Sequence, residues 1–130
     1  KKIIVSFNGA INREKRFYDF QRYSWSDELN YSFVSIVDPT ITKQNDLNIG
    51  WYQGHKNQFA IDKISEYLKN IFIENNIEEK DVIFFGSSAG GFAALKMAEI
   101  FIKSKIIVIN PQIYISKYYQ SVVLKMYNTV

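Results

Sequence analysis

Four short apolar runs constrain the fold of this 130-residue chain more than any other feature. They occupy residues 3–7, 33–37, 82–85 and 106–109, each is rich in β-branched residues or Phe, and none alternates strictly with polar residues. Continuous apolar runs of this length are typical of strands buried on both faces, as in a parallel sheet covered by helices. We therefore expect these four segments to form a parallel β-sheet.

Segments with helical periodicity lie between and after the later apolar runs. Residues 58–76 place apolar side chains on one side and polar ones on the other, which predicts an amphipathic helix covering the sheet. Residues 90–103 are apolar almost all round, which predicts a helix packed deep among its neighbours, and residues 112–130 show a weaker helical spacing. Residues 11–29 are ambiguous and fit a short helix followed by a loop. The alternation predicts an α/β fold: a parallel β-sheet with helices on both faces.

Composition indicates one globular domain. Hydrophobic residues make up 47% of the chain and charged residues 22%, the balance of a soluble protein with a core. A single domain over residues 1–130 fits this length. The sequence has no initiator Met and no obvious stop at its end, so we expect an incomplete portion of a longer chain.

Counts of particular residues exclude several kinds of site. Without cysteine there is no disulfide framework, thiolate metal site or cysteine nucleophile, and one histidine cannot build a multi-histidine centre, so we predict no metal and no cofactor. A net charge of +3 is too small to indicate nucleic acid. No segment approaches the roughly 20 apolar residues of a membrane helix, and the first apolar run is too short for a signal peptide. We expect a cytoplasmic protein without a membrane span; the oligomeric state stays open.

The segment after the third run carries the motif that indicates chemistry. Gly86-x-Ser88-x-Gly90 lies between a predicted strand and a predicted helix. This spacing places a serine on a sharp turn, because small residues on both sides let strand and helix approach. The turn lifts the serine Oγ above the sheet edge at a helix N-terminus, whose dipole favours negative charge. The N–H of Ala89 would then point to where an oxyanion forms.

Two other interpretations of this segment remain. A glycine-rich turn after a strand also serves as a plain connection between strand and helix. The same residues faintly match a dinucleotide-binding fingerprint, which expects three glycines at the turn and an acidic residue at the end of the next strand. Ser88 interrupts the glycines and the next strand ends in Asn110, so the sequence disfavours dinucleotide binding.

Together these residues resemble the α/β-hydrolase superfamily of serine esterases and acyltransferases. The resemblance implies that Ser88 is the nucleophile and that Asn8-Gly9-Ala10 is the oxyanion loop, with a second backbone N–H from Gly9 or Ala10. Residues 84–92 and 109–112 also resemble hydrolase-like proteins encoded with bacterial surface-polysaccharide and glycan O-acetylation systems. That likeness implies a small-molecule or glycan ester as substrate.

The catalytic triad of that superfamily is incomplete in this chain. Its order is serine, acid, histidine, but after Ser88 there is one carboxylate side chain, Glu99, and no histidine. One explanation is that the chain is truncated and that the acid and histidine lie beyond Val130. A second explanation makes His55 the base, oriented by Asp38 or Asp46. A third makes the protein a pseudo-hydrolase that binds without turnover.

Trp51 and Tyr52 lie between two glycines in the polar segment 40–57. An aromatic ring offers an apolar face to a sugar, which makes both residues candidates for substrate binding; anchoring of the loop onto the core is the alternative. The sequence thus predicts a serine-dependent ester hydrolase or acyltransferase, acting on carbohydrate O-acyl groups of a bacterial surface glycan. The alternative is a non-catalytic module that binds glycan or protein.

Overall fold

The computed structural model describes residues 1–15 and 20–130. Its four parallel strands form one sheet in the order β2-β1-β3-β4. The strands are β1 (Ile3–Phe7), β2 (Ser32–Ile36), β3 (Val82–Ser87) and β4 (Lys105–Ile109). The helices are α1 (Trp25–Glu28), α2 (Ala60–Glu74), α3 (Ala89–Ile100) and α4 (Gln120–Thr129), with 3₁₀ turns at Glu79–Asp81 and Ile115–Lys117. The predicted α/β class and parallel sheet are confirmed.

The central strands β1 and β3 carry the most deeply buried side chains of the sheet. Val5, Phe7 and Phe84 are fully buried, because these strands have a neighbour on each side. The chain leaves β1 toward β2 on one side, whereas β3 lies on the other side. In open α/β sheets, a crevice forms at the carboxyl ends of two strands where the order reverses in this way, and ligands bind there.

The two long helices cover one face of the sheet. The apolar side of α2 and the deeply buried residues of α3 pack with Ile3, Val5, Phe7, Val82 and Phe84, as the two helical patterns predict. On the other face, the single-turn helix α1 places the Trp25 ring against the Phe85 ring, with centroids 5.0 Å apart. Part of the ambiguous segment 11–29, residues 16–19, lies outside the described residues.

A second apolar cluster lies beyond the carboxyl ends of the strands. It joins the segment between β2 and α2 to α3 and α4, through Ile41, Leu47, Ile49, Trp51, Ala89, Phe92, Val123 and Met126. The Trp51 ring also contacts Tyr118 edge to face, with centroids 5.4 Å apart. This cluster fixes the long loop and the C-terminal helix next to the start of α3.

Strand β4 departs from the sequence prediction. The apolar run predicts burial on both faces, but Ile107 and Ile109 are 52% and 48% exposed. Among the described residues β4 pairs with β3 alone and forms an edge of the sheet. The prediction of burial is therefore wrong for this strand, because composition does not tell an edge strand from a central one. No helix in the described ranges is long and apolar enough to cross a membrane.

Candidate functional site

Ser88 lies between β3 and α3 in a backbone conformation that L-residues rarely adopt, with φ 55° and ψ −123°. Such conformations persist only where the surrounding structure holds them, and they cluster at functional sites. The Ser88 N–H donates to the Ile109 carbonyl at 3.1 Å. The Ser88 carbonyl accepts from the N–H groups of Gly91, Phe92 and Gln112 at 3.1, 3.3 and 3.1 Å. Hydrogen bonds from α3 and from the segment after β4 thus hold the strained turn.

Glycines at two positions permit this turn. A Cβ on Gly86 would overlap the carbonyl oxygen of Gly90, and a Cβ on Gly90 would overlap that of Phe7. Both contacts are with backbone, which cannot turn aside as a long side chain can. The small residues that the motif predicts are therefore required by close contact of β3, α3 and the end of β1.

The loop after β1 lies directly against the turn. A Cβ on Gly9 would lie 3.3 Å from the Ser87 carbonyl oxygen and 3.8 Å from the Ser88 Cβ. The structure thus places Gly9 beside Ser88, at the crevice between β1 and β3. Among residues 1–15 and 20–130, the N–H groups of Ala89 and Ala10 have no hydrogen-bond acceptor.

The Gly9 N–H, in contrast, is already occupied. It donates to Oε1 of Gln21 at 3.0 Å, while Nε2 of Gln21 donates to the Ala10 carbonyl at 3.0 Å. The Gln21 N–H also donates to Oδ1 of Asn8, at 3.1 Å. The sequence does not predict that Gln21 contacts the loop after β1, because Gln21 lies in a segment without clear periodicity.

Arg22 is a second residue that the sequence does not single out. One guanidinium nitrogen, Nη2, donates to Ser87 Oγ at 3.1 Å, and the group stacks over the rings of Phe85 at 4.9 Å and Trp25 at 5.6 Å. No acidic side chain in the described part of the chain pairs with it. Arg22 therefore places a positive charge next to the turn that carries Ser88.

Trp51 and Tyr52 are both fully buried. Nε1 of Trp51 donates to Oε1 of Gln112 at 2.6 Å, and the Tyr52 hydroxyl donates to the Asn8 carbonyl at 2.9 Å. Both residues have a positive φ, 49° and 56°, in a turn closed by the Gln53 N–H donating to the Gly50 carbonyl. Burial leaves neither ring a face for a sugar in this structure, and it favours the alternative that both anchor the loop.

Asp38 holds that strained turn. Its Oδ1 accepts from the Thr40 N–H at 2.9 Å, and its Oδ2 accepts from the Tyr52 N–H at 3.0 Å. Burial raises the pKa of Asp38, while hydrogen bonds from Thr40 and Tyr52 act in the opposite direction. Asp38 thus connects the end of β2 to the residue whose hydroxyl reaches the Asn8 carbonyl.

His55 lies on an exposed turn, where its backbone pairs with Gln58 in both directions at 3.1 and 2.8 Å. Neither candidate carboxylate orients the imidazole: Asp38 bonds the loop N–H groups, and Asp46 pairs with Lys125 at 2.9 Å. The structure places Gly9 beside Ser88, and Ala10 and Ala89 follow these two residues in the chain. Among the described residues no hydrogen bond joins His55 to any of them.

A cavity of about 300 Å³ borders the same turn. Its lining comes from one segment after β4: Pro111, Gln112, Ile113, Tyr114, Lys117 and Tyr118. It is next to the turn at Ser88 because the Gln112 N–H donates to the Ser88 carbonyl. Within residues 1–15 and 20–130 no group of three or more His, Asp or Glu side chains could hold a metal ion.

No protein-family model matches this sequence, and no curated protein matches it. Solved structures do match. The capsule O-acetyltransferase of Neisseria meningitidis serogroup A has a TM-score of 0.70 at 21% identity, over 97% of this chain and 51% of that one. The same enzyme with caged gadolinium gives 0.70 at 21% identity, over 96% and 52%. Its histidine-to-alanine variant in complex with CoA gives 0.66 at 20% identity, over 96% and 51%.

The chain thus spans about half the length of these structural neighbours. At this level of identity the likeness shows the fold. The neighbours are capsule O-acetyltransferases, and this agrees with the resemblance to glycan O-acetylation systems that residues 84–92 and 109–112 indicate. The 130 residues share the fold of about half of a capsule O-acetyltransferase.

Proposed function

We propose that this chain is the nucleophile-bearing portion of a serine-dependent acyltransferase acting on O-acyl groups of a bacterial surface glycan. The observation that carries the proposal is the strained conformation of Ser88, between β3 and α3 at the crevice where the strand order reverses. The structural neighbours favour acyl transfer to a capsule polysaccharide over simple ester hydrolysis.

In the proposed reaction, Ser88 Oγ attacks the carbonyl carbon of an acyl donor while its proton passes to a general base. The tetrahedral oxyanion accepts from the Ala89 N–H and from Gly9 or Ala10 on the loop after β1. Collapse expels the donor's leaving group, which takes the proton held by the base, and forms an acyl ester on Ser88. A glycan hydroxyl then attacks this ester and gives its proton to the base. The acyl group leaves on the glycan oxygen, and the base returns the proton to Ser88 Oγ.

The general base is a histidine outside these 130 residues, in the proposed arrangement. Two observations favour this over His55: the His55 side chain is exposed, and both nearby carboxylates are engaged elsewhere. A base needs an orienting partner to keep the tautomer that accepts the serine proton. The chain also spans only about half the length of its structural neighbours.

The acyl donor we propose is a thioester of the CoA class. The support is a neighbour recorded in complex with CoA. Arg22 lies next to Ser88, since its guanidinium donates to Ser87 Oγ, and Lys117 lines the cavity after β4. Positive charges there would attract the phosphates of such a donor.

Labelling with a fluorophosphonate probe on the full-length protein tests the nucleophile. We expect the wild-type protein to be labelled and Ser88→Ala to be unlabelled. Ser87→Ala is the matched control, since Ser87 is the adjacent serine and its Oγ accepts from Arg22; it should still be labelled. Labelling that survives Ser88→Ala would show that Ser88 is not the nucleophile.

A non-catalytic glycan-binding module is the second candidate function. The observation that favours it is that the one histidine of the sequence, His55, makes no hydrogen bond with Ser88. The same labelling experiment separates the two functions. Full-length protein that binds glycan but neither reacts with the probe nor transfers acetyl from acetyl-CoA would support the binding module.

A further inference from the structure

We propose that the side-chain carboxamide of Gln21 occupies the oxyanion position beside Ser88 in the resting protein, and that the acyl oxygen displaces it during transfer. This inference rests on the proposed function, since it concerns the same serine. It assigns to Gln21 the role of a competitor for one backbone donor and makes that residue a determinant of the acylation rate.

The geometry around Gly9 carries the first step. Oε1 of Gln21 accepts the Gly9 N–H at 3.0 Å. The position that a Cβ on Gly9 would take lies 3.8 Å from this oxygen and 3.8 Å from the Ser88 Cβ. The Gln21 oxygen and the serine therefore flank the same backbone position. An amide oxygen held there has the acceptor chemistry of the carbonyl oxygen that an acyl substrate would present.

The direction of the Gly9 N–H is fixed independently of Gln21. The carbonyl of the same peptide, on Asn8, accepts from the Tyr52 hydroxyl at 2.9 Å, the shorter of two contacts of that hydroxyl; the other is with the Ile36 carbonyl at 3.1 Å. Tyr52 is fully buried, and burial together with the Asp38 carboxylate raises its pKa, so the hydroxyl stays protonated as a donor. Because the C=O and N–H of one trans peptide point in opposite directions, this bond turns the Gly9 N–H away from the core.

Competition between Gln21 and a substrate follows from hydrogen-bond strength. One N–H makes one well-aligned hydrogen bond, so the Gln21 oxygen and a substrate oxygen exclude each other. A neutral ester or thioester oxygen gains little by displacing a neutral amide oxygen. An oxyanion forms a charge-assisted bond roughly twice as strong. The exchange thus favours the tetrahedral intermediate over the bound substrate, which is the condition for rate acceleration.

Two substitutions with opposite expected effects test this role in the full-length protein. The measurement is the second-order rate constant for labelling of Ser88 by a fluorophosphonate, whose phosphoryl oxygen needs the same donors. Gln21→Ala frees the Gly9 N–H and should be labelled about threefold to tenfold faster, the worth of one hydrogen bond. Gln21→Glu holds the N–H with a charged acceptor and repels the developing anion, so it should be labelled at least about tenfold more slowly.

A purely structural role for Gln21 predicts a different order. If Gln21 only braced residues 8–10, Gln21→Ala would be labelled more slowly. Gln21→Glu would then also be labelled more slowly, because it keeps the acceptor for the Gly9 N–H but loses the Nε2 donor to the Ala10 carbonyl. Slower labelling of Gln21→Ala, or equal rates in all three proteins, would overturn the inference. Gln53→Ala is the control: its Nε2 donates to the Trp51 carbonyl in another loop, and it should keep the wild-type rate.

Hydrogen exchange at the Gly9 amide separates failure of the inference from failure of the proposed function. We expect exchange to be faster in Gln21→Ala and slow again once Ser88 carries the phosphonyl group. Labelling in the wrong order overturns the inference alone. Faster Gly9 exchange in Gln21→Ala without labelling of any variant overturns both, because the contact then exists but no acylation occurs.

Discussion

Gly90→Ala tests whether the turn at Ser88 depends on close contact between α3 and the end of β1. Alanine is the better helix former by up to about 1 kcal/mol, so propensity alone predicts that this change stabilises the protein. At Gly90, however, a Cβ would overlap the Phe7 carbonyl oxygen and lie 2.9 Å from the Asn8 carbonyl oxygen. Both are backbone atoms of β1 and the loop after it, so relief requires α3 to move.

Overpacking of this kind costs about 1–3 kcal/mol. Because the overlap is with backbone, we expect a cost in the upper part of this range, about 2–3 kcal/mol. After the gain in helix propensity of up to about 1 kcal/mol, the free energy of unfolding measured in urea should fall by about 1–2 kcal/mol. Labelling of Ser88 should also fall at least about tenfold, since the shift separates Ser88 from the Gly9 loop.

Gly9→Ala is the control for stability, because its Cβ would come no closer than 3.3 Å to any neighbour and should cost less than about 1 kcal/mol. A Gly90→Ala protein as stable as the wild type, or more stable, would refute the close-contact reasoning.

Two further substitutions test the support of the loop after β1. Asp38→Asn turns an NH₂ group toward one of the two backbone donors, so the free energy of unfolding should fall by about 1–3 kcal/mol in urea. Burial raises the pKa of Asp38 in the folded protein. The stability that this shift contributes is therefore fully present below pH 3.8, the ordinary pKa, and is lost as the pH rises through the raised pKa of the folded protein. The free energy of unfolding of Asp38→Asn should not fall in that pH range. Tyr52→Phe removes the donor to the Asn8 carbonyl, and we expect a loss of about 1 kcal/mol and severalfold slower labelling of Ser88. Unchanged labelling would contradict a role for Tyr52 in directing the Gly9 N–H.

Local physics made the sheet and the turn predictable. A parallel strand under helices needs apolar side chains on both faces, and all four strands therefore show in the sequence as continuous runs. The turn at Ser88 is also recognisable in the sequence, because Gly86 and Gly90 contact backbone atoms so closely that only glycine fits there. The exposure of β4 was not predictable, since its composition matches that of the buried strands.

The contacts that complete the candidate site depend on tertiary structure. Gln21 is 12 residues from Gly9 in the sequence and Arg22 is 65 residues from Ser87, so no local sequence pattern predicts either contact. Trp51 and Tyr52 stand in a polar segment that suggests exposure. Their burial depends on Asp38, which holds their strained turn from the end of β2. Such residues become apparent only when the strands and loops are in place.

The four hydrogen bonds at the Ser88 backbone bear on the timing of the proposed reaction. With its N–H and carbonyl both engaged, the residue has one remaining soft motion, rotation of Oγ about the Cα–Cβ bond. Side-chain rotations of this kind take picoseconds to nanoseconds, whereas loops rearrange in nanoseconds to microseconds. Fixing one residue's backbone costs about 1–2 kcal/mol of conformational entropy, and here folding has already met that cost. The serine would thus be ready to react before an acyl donor arrives.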